Sequence, residues 1–498
     1  MSVFSPLPLG QCIPDSPHAV SCSLPTMAAV RGYEEKDPAI TQHLTSGYPR
    51  FVVNPFARKL ASLLLAKNAL AGRTLWLASS ACMADRLAQH LGAAATRIAD
   101  GAVHGVAHGE SGELSARAKT FLQNIGGFLS SREAEDELVR RGALAAPHAE
   151  ETFAGDAAAE IRRHLLRAMP AAGAADVLLA PSGMNAIYAA FRAVADRQAA
   201  RGRTVWVQLG WLYLDTIAIL KKFTATPADY VYVHDVFDRG ALEKLFATHG
   251  SRLAGVVAEV PTNPLIQTPD VAALAALCRQ HGARLILDPS VSSAFNLDLL
   301  AHADLVTTSL TKYTASEGDV IAGAVVVNPA GPDASELRRR IAAELEPVYP
   351  RDLARLAAQI GRTEDVLAHI HANVIRVVSF LAAHPAVREV FWALQSASLQ
   401  NYLHLTRGPG ATGGMVSFTL RGSMEDFYNR LRLPKGPSFG MKTTLICPFM
   451  YLAHYDLVTS PAGRAELAAS GLDPELLRLC VGTEPVEDII AALAEALG

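Results

Sequence analysis

The hydrophobic positions of this chain fall into two textures. From about residue 156, short unbroken apolar runs ("DVLLA", "TVWVQL", "YVYVHD", "LAGVVAEV", "ARLILD", "ADLVTTS", "AVVVNP") are separated by stretches whose apolar residues recur at helical spacing. An apolar run without polar alternation marks a strand buried on both faces. Intervening stretches such as "PSGMNAIYAAFRAVADRQAARG", "LDTIAILKKF" and "DRGALEKLFATHG" read as the helices that cover those faces. The pattern predicts an α/β fold with a mainly parallel sheet and helices on both sides. In "TPDVAALAALCRQHG", Thr268 is placed to cap a helix, Pro269 to open its first turn and Gly282 to end it.

After about residue 340 the texture changes. A long helical region over 354–384 precedes "REVFWAL", the alternating "GGMVSFTL", the helix "SMEDFYNRLRL", and a final "LLRLCVG" and "PVEDIIAALAEAL". This predicts a smaller α+β domain over 341–498. At the other end, residues 1–45 are rich in Pro, Ser and Gly and read as an extended arm. Residues 56–71 read as a helix, "RTLWLAS" as a strand and "ACMADRLAQHLGAAA" as a helix. The Gly- and Ala-rich stretch 100–155, with helices in "ELSARAKTFLQNIGGFL" and "SREAEDELVRRG", reads as an inserted subdomain or cover. The expected division is therefore an arm and first helix over 1–72, an insertion over 73–155, a large domain over 156–340 and the small domain.

Composition narrows the partners. The 498 residues are half hydrophobic, ample for a large core, and the net charge is −3 with no long basic run. That argues against nucleic acid or an anionic membrane as a partner. The six cysteines form no C-x-x-C pair, which fits a reduced, cytoplasmic protein. The N-terminus lacks a basic n-region and an unbroken apolar core, so it does not read as a signal peptide. "LASLLLAKNALAG" is too short for a membrane span. The sixteen histidines show no ligand spacing, so no metal site is expected.

Candidate chemistry gathers where an open α/β sheet binds ligands, at the carboxyl ends of its strands. After "DVLLA" comes Ser182-Gly183-Met184, opening a helix whose amides favour an anion. After "LAGVVAEV" comes "PTNP" with Asn263; "ARLILD" ends on Asp288; "ADLVTTS" leads through Ser309 and Thr311 to Lys312. An anion site, an amide, a carboxylate and an amine on one rim suit pyridoxal phosphate (PLP). Its phosphate needs amides and hydroxyls, its ring nitrogen a carboxylate, and its aldehyde a lysine amine. That lysine must be neutral to react, which partial burial beside cationic charge would favour.

The same residues carry a resemblance. "SLTKYTASEGDVIAG" resembles the S-x-T-K-Y…D-V-x-x-G lysine segment of the Cys/Met-metabolism family of PLP enzymes, which includes cystathionine synthases and lyases, methionine γ-lyase and homoserine sulfhydrylases. "EVPTNP" resembles that family's "ESPTNP", "DPS" its "DNT", "GYPRFVVNP" its "YSRxxNPT", "LLRLCVGTEPVEDI" its "IRLSVGIEDxEDL", and "GPSFGMKTTLICP" its "SLGGVETLxxxP". The likeness covers about 46–72 and 175–498. The long insertion, "SLPTMAAVRGYEE" and "PFMYLAHYD" are most similar to the fungal-type cystathionine γ-synthase branch.

The resemblance implies a PLP-dependent transferase (aspartate-aminotransferase-like) fold with a seven-stranded, mostly parallel sheet. It implies that Lys312 bonds the cofactor, that Ser182, Gly183, Met184, Ser309 and Thr311 hold its phosphate, that Asn263 meets its phenolic oxygen and that Asp288 pairs with its ring nitrogen. Arg478 would grip a substrate α-carboxylate, and Ser438 would lie near the substrate and the lysine. Tyr48 and Arg50 would cross a dimer interface to a neighbouring subunit's phosphate, in a dimer or tetramer. Two departures stand out: Leu209 replaces the first tyrosine of "YGGTY", leaving Trp211 or Tyr213 to stack on the ring, and Ser316-Glu317 replaces the usual Gly-His. The implied activity is γ-replacement, an O-acylhomoserine plus cysteine giving cystathionine. A sulfhydrylase, a cystathionine or methionine γ-lyase, and a non-catalytic binding protein are the alternatives.

Overall fold

The computed structural model describes residues 3–48, 52–408 and 410–498. Read as an extended arm, the N-terminal segment proves partly regular. Cys12–Ile13 pairs with Ser21–Cys22, and helix α1 spans Met27–Glu34. Thr26 caps α1 by accepting from Ala29 N, and Met27, Val30 and Tyr33, on one face, are buried. The Pro and Ser content hid a helix that packing against the rest of the protein sustains.

Helix α2 (Pro55–Lys67) is started by the Asn54 cap and Pro55, and buries Ala57, Leu60 and Leu64. Its partner is an antiparallel three-stranded sheet of β1 (Arg73–Ala78), β2 (Ala95–Asp100) and β3 (Val103–Gly109), in the order β1-β3-β2. Helix α3 (Ala81–Leu91) links β1 to β2, and α4 (Gly112–Ile125) and α5 (Ser131–Arg140) follow β3. Leu60 and Leu64 share one core with Leu75, Leu77, Ala107 and Leu138, so α2 packs with the inserted sheet. Strands β2 and β3 escape the hydrophobic pattern because they are short of large apolar residues. At Gly105 a side chain would meet the Trp76 carbonyl at 2.5 Å, so close pairing requires glycine there.

The large domain carries seven strands: β4 (Val177–Ala180), β5 (Val205–Leu209), β6 (Tyr230–Val233), β7 (Leu253–Glu259), β8 (Arg284–Asp288), β9 (Leu305–Ser309) and β10 (Gly323–Val327). Their order is β4-β10-β9-β8-β7-β5-β6, with β10 antiparallel to both neighbours and the other pairs parallel. Helix α6 (Gly183–Ala199) follows β4 and lies on one face. The apolar runs are central strands, as their unbroken burial requires. One cap differs from expectation. Helix α7 (Val271–His281) is capped by Asp270, which accepts from Ala273 N, whereas Thr268 is buried two residues upstream, too early for its hydroxyl to reach the first turn. Gly282 ends α7 in the left-handed conformation, as expected.

The long helical region is two helices, α8 (Pro350–Ile360) and α9 (Thr363–Ala383), broken at Gly361-Arg362. α9 is long and apolar enough to cross a membrane, and here it buries Val366, Ile370, Val374 and Val377. The small domain is an antiparallel sheet of β11 (Val387–Phe391), β12 (Met415–Leu420), β13 (Leu445–Pro448) and β14 (Leu477–Cys480), in the order β11-β12-β14-β13. β14 is an inner strand and carries Arg478 toward the carboxyl ends of the large sheet.

Candidate active site

Three neighbouring strands of the large sheet end in polar residues: β7 in Glu259, β8 in Asp288 and β9 in Ser309. They line an inner cavity of ≈ 120 Å³ together with Asn263, Lys312, Ser438 and Arg478. A larger cavity of ≈ 490 Å³, between the inserted sheet and the large domain, shares Tyr48, Met184 and Tyr213 with it.

Lys312 is buried, and its Nζ donates to Ser438 Oγ at 2.7 Å. The amine lies over the rings of Tyr48 and Phe439, 4.6 and 4.8 Å from their centroids. Burial drives its pKa down to about 7, and the positive charge of Arg478 adds to the fall. Ser438 itself has φ +87, a conformation costly for a residue with a side chain, by about 1–3 kcal/mol. Its carbonyl accepts from Arg478 Nη2 at 3.1 Å while its hydroxyl accepts from Lys312, so both ends of the strained residue are held. Arg478 Nη1 donates to Asn263 Oδ1 at 3.3 Å, and the guanidinium lies over Phe449 at 4.6 Å and Phe439 at 5.3 Å.

The acidic side of the cavity is unbalanced. Burial pushes Asp288 up to about 6, against the hydrogen bonds it accepts from Ser290. Glu259 is held well above the ordinary carboxyl range by burial and by the nearby Asp288, while it accepts from Tyr213 N at 2.5 Å. Ser309 is equally short of partners. The Tyr48 phenol faces the Ser309 and Thr311 hydroxyls, but Ser309 Oγ is buried without a completed hydrogen bond. Thr311 Oγ1 accepts from Ala322 N at 3.1 Å, so it also fastens the lysine turn to the chain entering β10. Ser182 caps α6 by accepting from Asn185 N, and Gly183 is essential to the packing because a Cβ there would sit 2.9 Å from that of Ser309. This close approach brings the α6 N-terminus to the orphan Ser309 hydroxyl, a cradle for an anion.

A family-wide sequence profile described as Cys/Met metabolism PLP-dependent enzyme matches residues 161–498. The chain belongs to that family. A relative from Streptantibioticus cattleyicolor, L-2-amino-4-chloropent-4-enoate dechlorinase/desaturase, is 39% identical over 487 residues and covers 97% of both chains. Cystathionine γ-synthase of Neurospora crassa is 30% identical over 65% of this chain and 52% of its own length. Among solved structures, cystathionine γ-synthase from Xanthomonas oryzae pv. oryzae in complex with cystathionine has the same fold, with a TM-score of 0.58 and 24% identity over 69% of this chain and 86% of that one. As a member of this PLP-dependent family, the chain is an enzyme, and the residues present fit the cofactor. Ser309 Oγ and the α6 amides would hold its phosphate, and Asp288, which forms no ion pair among the described residues, would meet its ring nitrogen.

Two expectations about aromatic residues change. Trp211 does not line the inner cavity: its Nε1 donates to His454 Nε2 at 3.1 Å and its ring packs edge-on against Tyr232, both away from the rim. Tyr213 lines both cavities. Tyr48, expected to cross to a neighbouring subunit, instead enters the site of its own chain. The arm makes this possible: Val20 O accepts from Tyr48 N at 3.1 Å, and Val20 N donates to Gly318 O at 2.9 Å. Arg50 lies outside the described residues.

The altered Ser316-Glu317 segment has its own role. Lys442 N donates to Ser316 O at 2.8 Å, and Lys442 Nζ to Glu317 at 2.5 Å, tying the lysine loop to the loop that carries Ser438. Asp319 accepts from Arg355 and Gln359, and its carbonyl accepts from Arg132 Nη1 of α5 at 2.9 Å. Glu259, Phe439, Phe449 and Arg132 were not singled out from the sequence. Only Glu259 left a readable signal, a charge ending an otherwise apolar strand.

Proposed function

We propose that this chain removes a leaving group from the γ-carbon of a small L-2-amino acid. The observation that carries the reading is the placement of Lys312 Nζ, its pKa lowered by burial to about 7, 2.7 Å from Ser438 Oγ and beside the guanidinium of Arg478. PLP, when bound, supplies an aldehyde that bonds amines and a ring that draws electrons from Cα. Arg478 binds the substrate α-carboxylate as a planar fork, and its contact with Ser438 O keeps that fork and the lysine in register. Lys312 Nζ would take the Cα proton, give it up to the former aldehyde carbon and, as a free amine again, take a Cβ proton, and Ser438 Oγ fixes the direction from which the amine approaches. Once both protons have left, the γ-substituent departs with its bonding pair. Asp288 and Asn263 would orient the cofactor ring, Tyr213 would support it, and Tyr48, Ser309, Thr311, Ser182, Gly183 and Met184 would hold the phosphate end.

Similarity over nearly the whole chain to a dechlorinase/desaturase favours elimination: loss of the elements of HCl with one added unsaturation. The second reading is γ-replacement of an O-acylhomoserine by cysteine to give cystathionine, supported by the shorter match to the Neurospora relative. A sulfhydrylase would share its steps. The test is to supply L-2-amino-4-chloropent-4-enoate alone, and O-acylhomoserines with cysteine or sulfide, and follow chloride and products. Chloride release that depends on Lys312 supports elimination; cystathionine formation without chloride release from the first substrate would replace that reading with the second.

A further inference from the structure

The N-terminal arm holds two cysteines on paired strands. Cys12, in Cys12–Ile13, is the direct partner of Cys22, in Ser21–Cys22. Ser23 N donates across the pair to Gln11 O at 2.8 Å, whereas Val20 N and Leu24 N donate the other way, to Gly318 O and Lys435 O, each at 2.9 Å. Cys22, in step with Val20 and Leu24, therefore faces Cys12 in a non-hydrogen-bonded pair, the kind whose side chains stand closest. The Cα atoms of such a pair are about 4.5 Å apart, inside the roughly 4.4–6.8 Å that a disulfide spans. Both thiols are free; Cys12 is half-buried with its Sγ 3.6 Å from Thr45 Oγ1, and Cys22 is buried. Burial, with Cys12 beside it, pushes the Cys22 thiol up to about 12, so a reagent meets Cys12 first. The segment between the two cysteines is a junction. His18 meets Ser131 Oγ at 2.9 Å and Glu135 Oε2 at 3.1 Å on α5, Val20 accepts from Tyr48 N while it donates to Gly318 O, and Ser21 Oγ donates to Pro437 O at 2.5 Å, next to Ser438.

We propose that Cys12 and Cys22 are a modification site, a dithiol that a small disulfide such as oxidised glutathione converts into an intrachain disulfide clamping the arm. Cys12 attacks the small disulfide and expels one thiol, which carries away the Cys12 proton, and a mixed disulfide is left on Cys12. The Cys22 sulfur then attacks the Cys12 sulfur, and its proton leaves with the second expelled thiol. Each protein sulfur is oxidised by one electron and the two sulfurs of the reagent are reduced, so excess thiol reverses the reaction. The linked strands cannot spread, which keeps Val20 on Gly318 and Ser21 on Pro437 and so holds Tyr48 and Ser438 around Lys312. Local opening of the arm, and with it escape of the cofactor, is slower with the pair linked than with it reduced.

The test uses PLP-loaded protein carrying Cys82→Ser, which removes an exposed thiol, incubated with oxidised glutathione and then with dithiothreitol. Peptide mapping without reduction should find Cys12 joined to Cys22 in the oxidised sample and both free after dithiothreitol. Linked protein should release arm fragments to trypsin, and lose its visible absorbance on dilution, about tenfold more slowly than reduced protein. Adding Cys12→Ser should abolish both differences. Glutathione left on Cys12 with no link to Cys22, or a link from either to another cysteine, overturns the site. A Cys12–Cys22 link that leaves both rates unchanged overturns the clamp. Rates that still respond to glutathione in the Cys12→Ser protein assign the effect to another thiol and overturn it as well.

Discussion

The inner cavity and the interface between the insertion and the large domain treat charge in opposite ways. At the interface a cluster of buried arginines is matched by carboxylates, although Glu133 beside it is pushed up to about 7 by burial and neighbouring acids. Arg132 is bonded to Glu150 and Asp352, Arg351 to Glu135, Asp136 and Glu150, and Arg355 to Asp319. In the cavity, among the described residues, Asp288 and Glu259 stand side by side without a cation matched to each, the Lys312 amine has its pKa lowered to about 7, and Ser309 Oγ has no completed bond. Both regions are buried, so burial alone does not separate them. Matched charge fixes one arrangement of the chain, whereas unmatched charge persists because a ligand completes it.

Breaking the unmatched set should have the largest effect on chemistry. Lys312→Ala should abolish the visible absorbance of PLP-loaded protein and all turnover while leaving the fold intact by circular dichroism; a variant that still turns over would remove Lys312 from its role. Breaking the matched set should act on stability instead. Arg132→Ala leaves Asp352 without its cation and Glu150 with Arg351 as its near partner, and the cost of an uncompensated buried charge is about 3–5 kcal/mol, read by denaturant unfolding. Unchanged stability would mean that the network is solvated and the contrast is false. Because Arg132 also holds the carbonyl of Asp319, turnover should fall as well.

An intermediate effect is expected at Arg478→Lys. A point charge replaces the fork that joins Asn263, Ser438 and the substrate, so kcat/KM should fall about 10- to 100-fold, that is about 1.4–2.7 kcal/mol. A loss confined to thermal stability would make Arg478 structural.

The smallest effects are those of pH, and they sharpen the comparison because Lys312 and Asp288 in the cavity titrate near neutrality, whereas the paired Glu135 and Glu150 at the interface are held below the ordinary carboxyl range. Lys312 is neutral in the fold above about pH 7, so PLP should load onto apoprotein faster as pH rises through 7 and then level off. A loading rate that climbs until pH 10 would show an ordinary, solvated amine. Asp288 is raised to about 6 in the fold, so its favourable contribution is fully present below its unfolded pKa and is lost as pH rises through 6. Apoprotein should therefore lose about 1–2 kcal/mol relative to Asp288→Asn between pH 4 and pH 7, and PLP should restore it.

The same contrast explains what the sequence made legible. Lys312, Asp288 and Asn263 sit at strand ends, and strand ends follow from hydrophobic runs, so the rim could be read before its geometry was known. Arg132 could not, since its partners Glu150, Asp319 and Asp352 come from three separate segments and no local period records that meeting. Tyr213 and Trp211 were equivalent by spacing, and only the direction of the chain after β5 separates them. β2 and β3 were missed because close pairing there needs glycine and alanine rather than the branched residues that signal a strand. Thr268 lost the cap to Asp270 because a cap depends on where the first turn begins, which Pro269 does not decide alone.

The arm imposes an order of assembly. Ser21 Oγ donates to the Pro437 carbonyl, a contact that joins residues 416 positions apart, and Val20 bridges Gly318 to Tyr48. During synthesis the arm is made well before the serine loop and waits for its partner. A nascent chain that stops short of the serine loop has neither the seat for its arm nor Ser438 to aim the lysine. Reactive aldehyde chemistry is in this way deferred until the serine loop has been made, and a product clipped before that loop would have its arm undocked as well as being inactive.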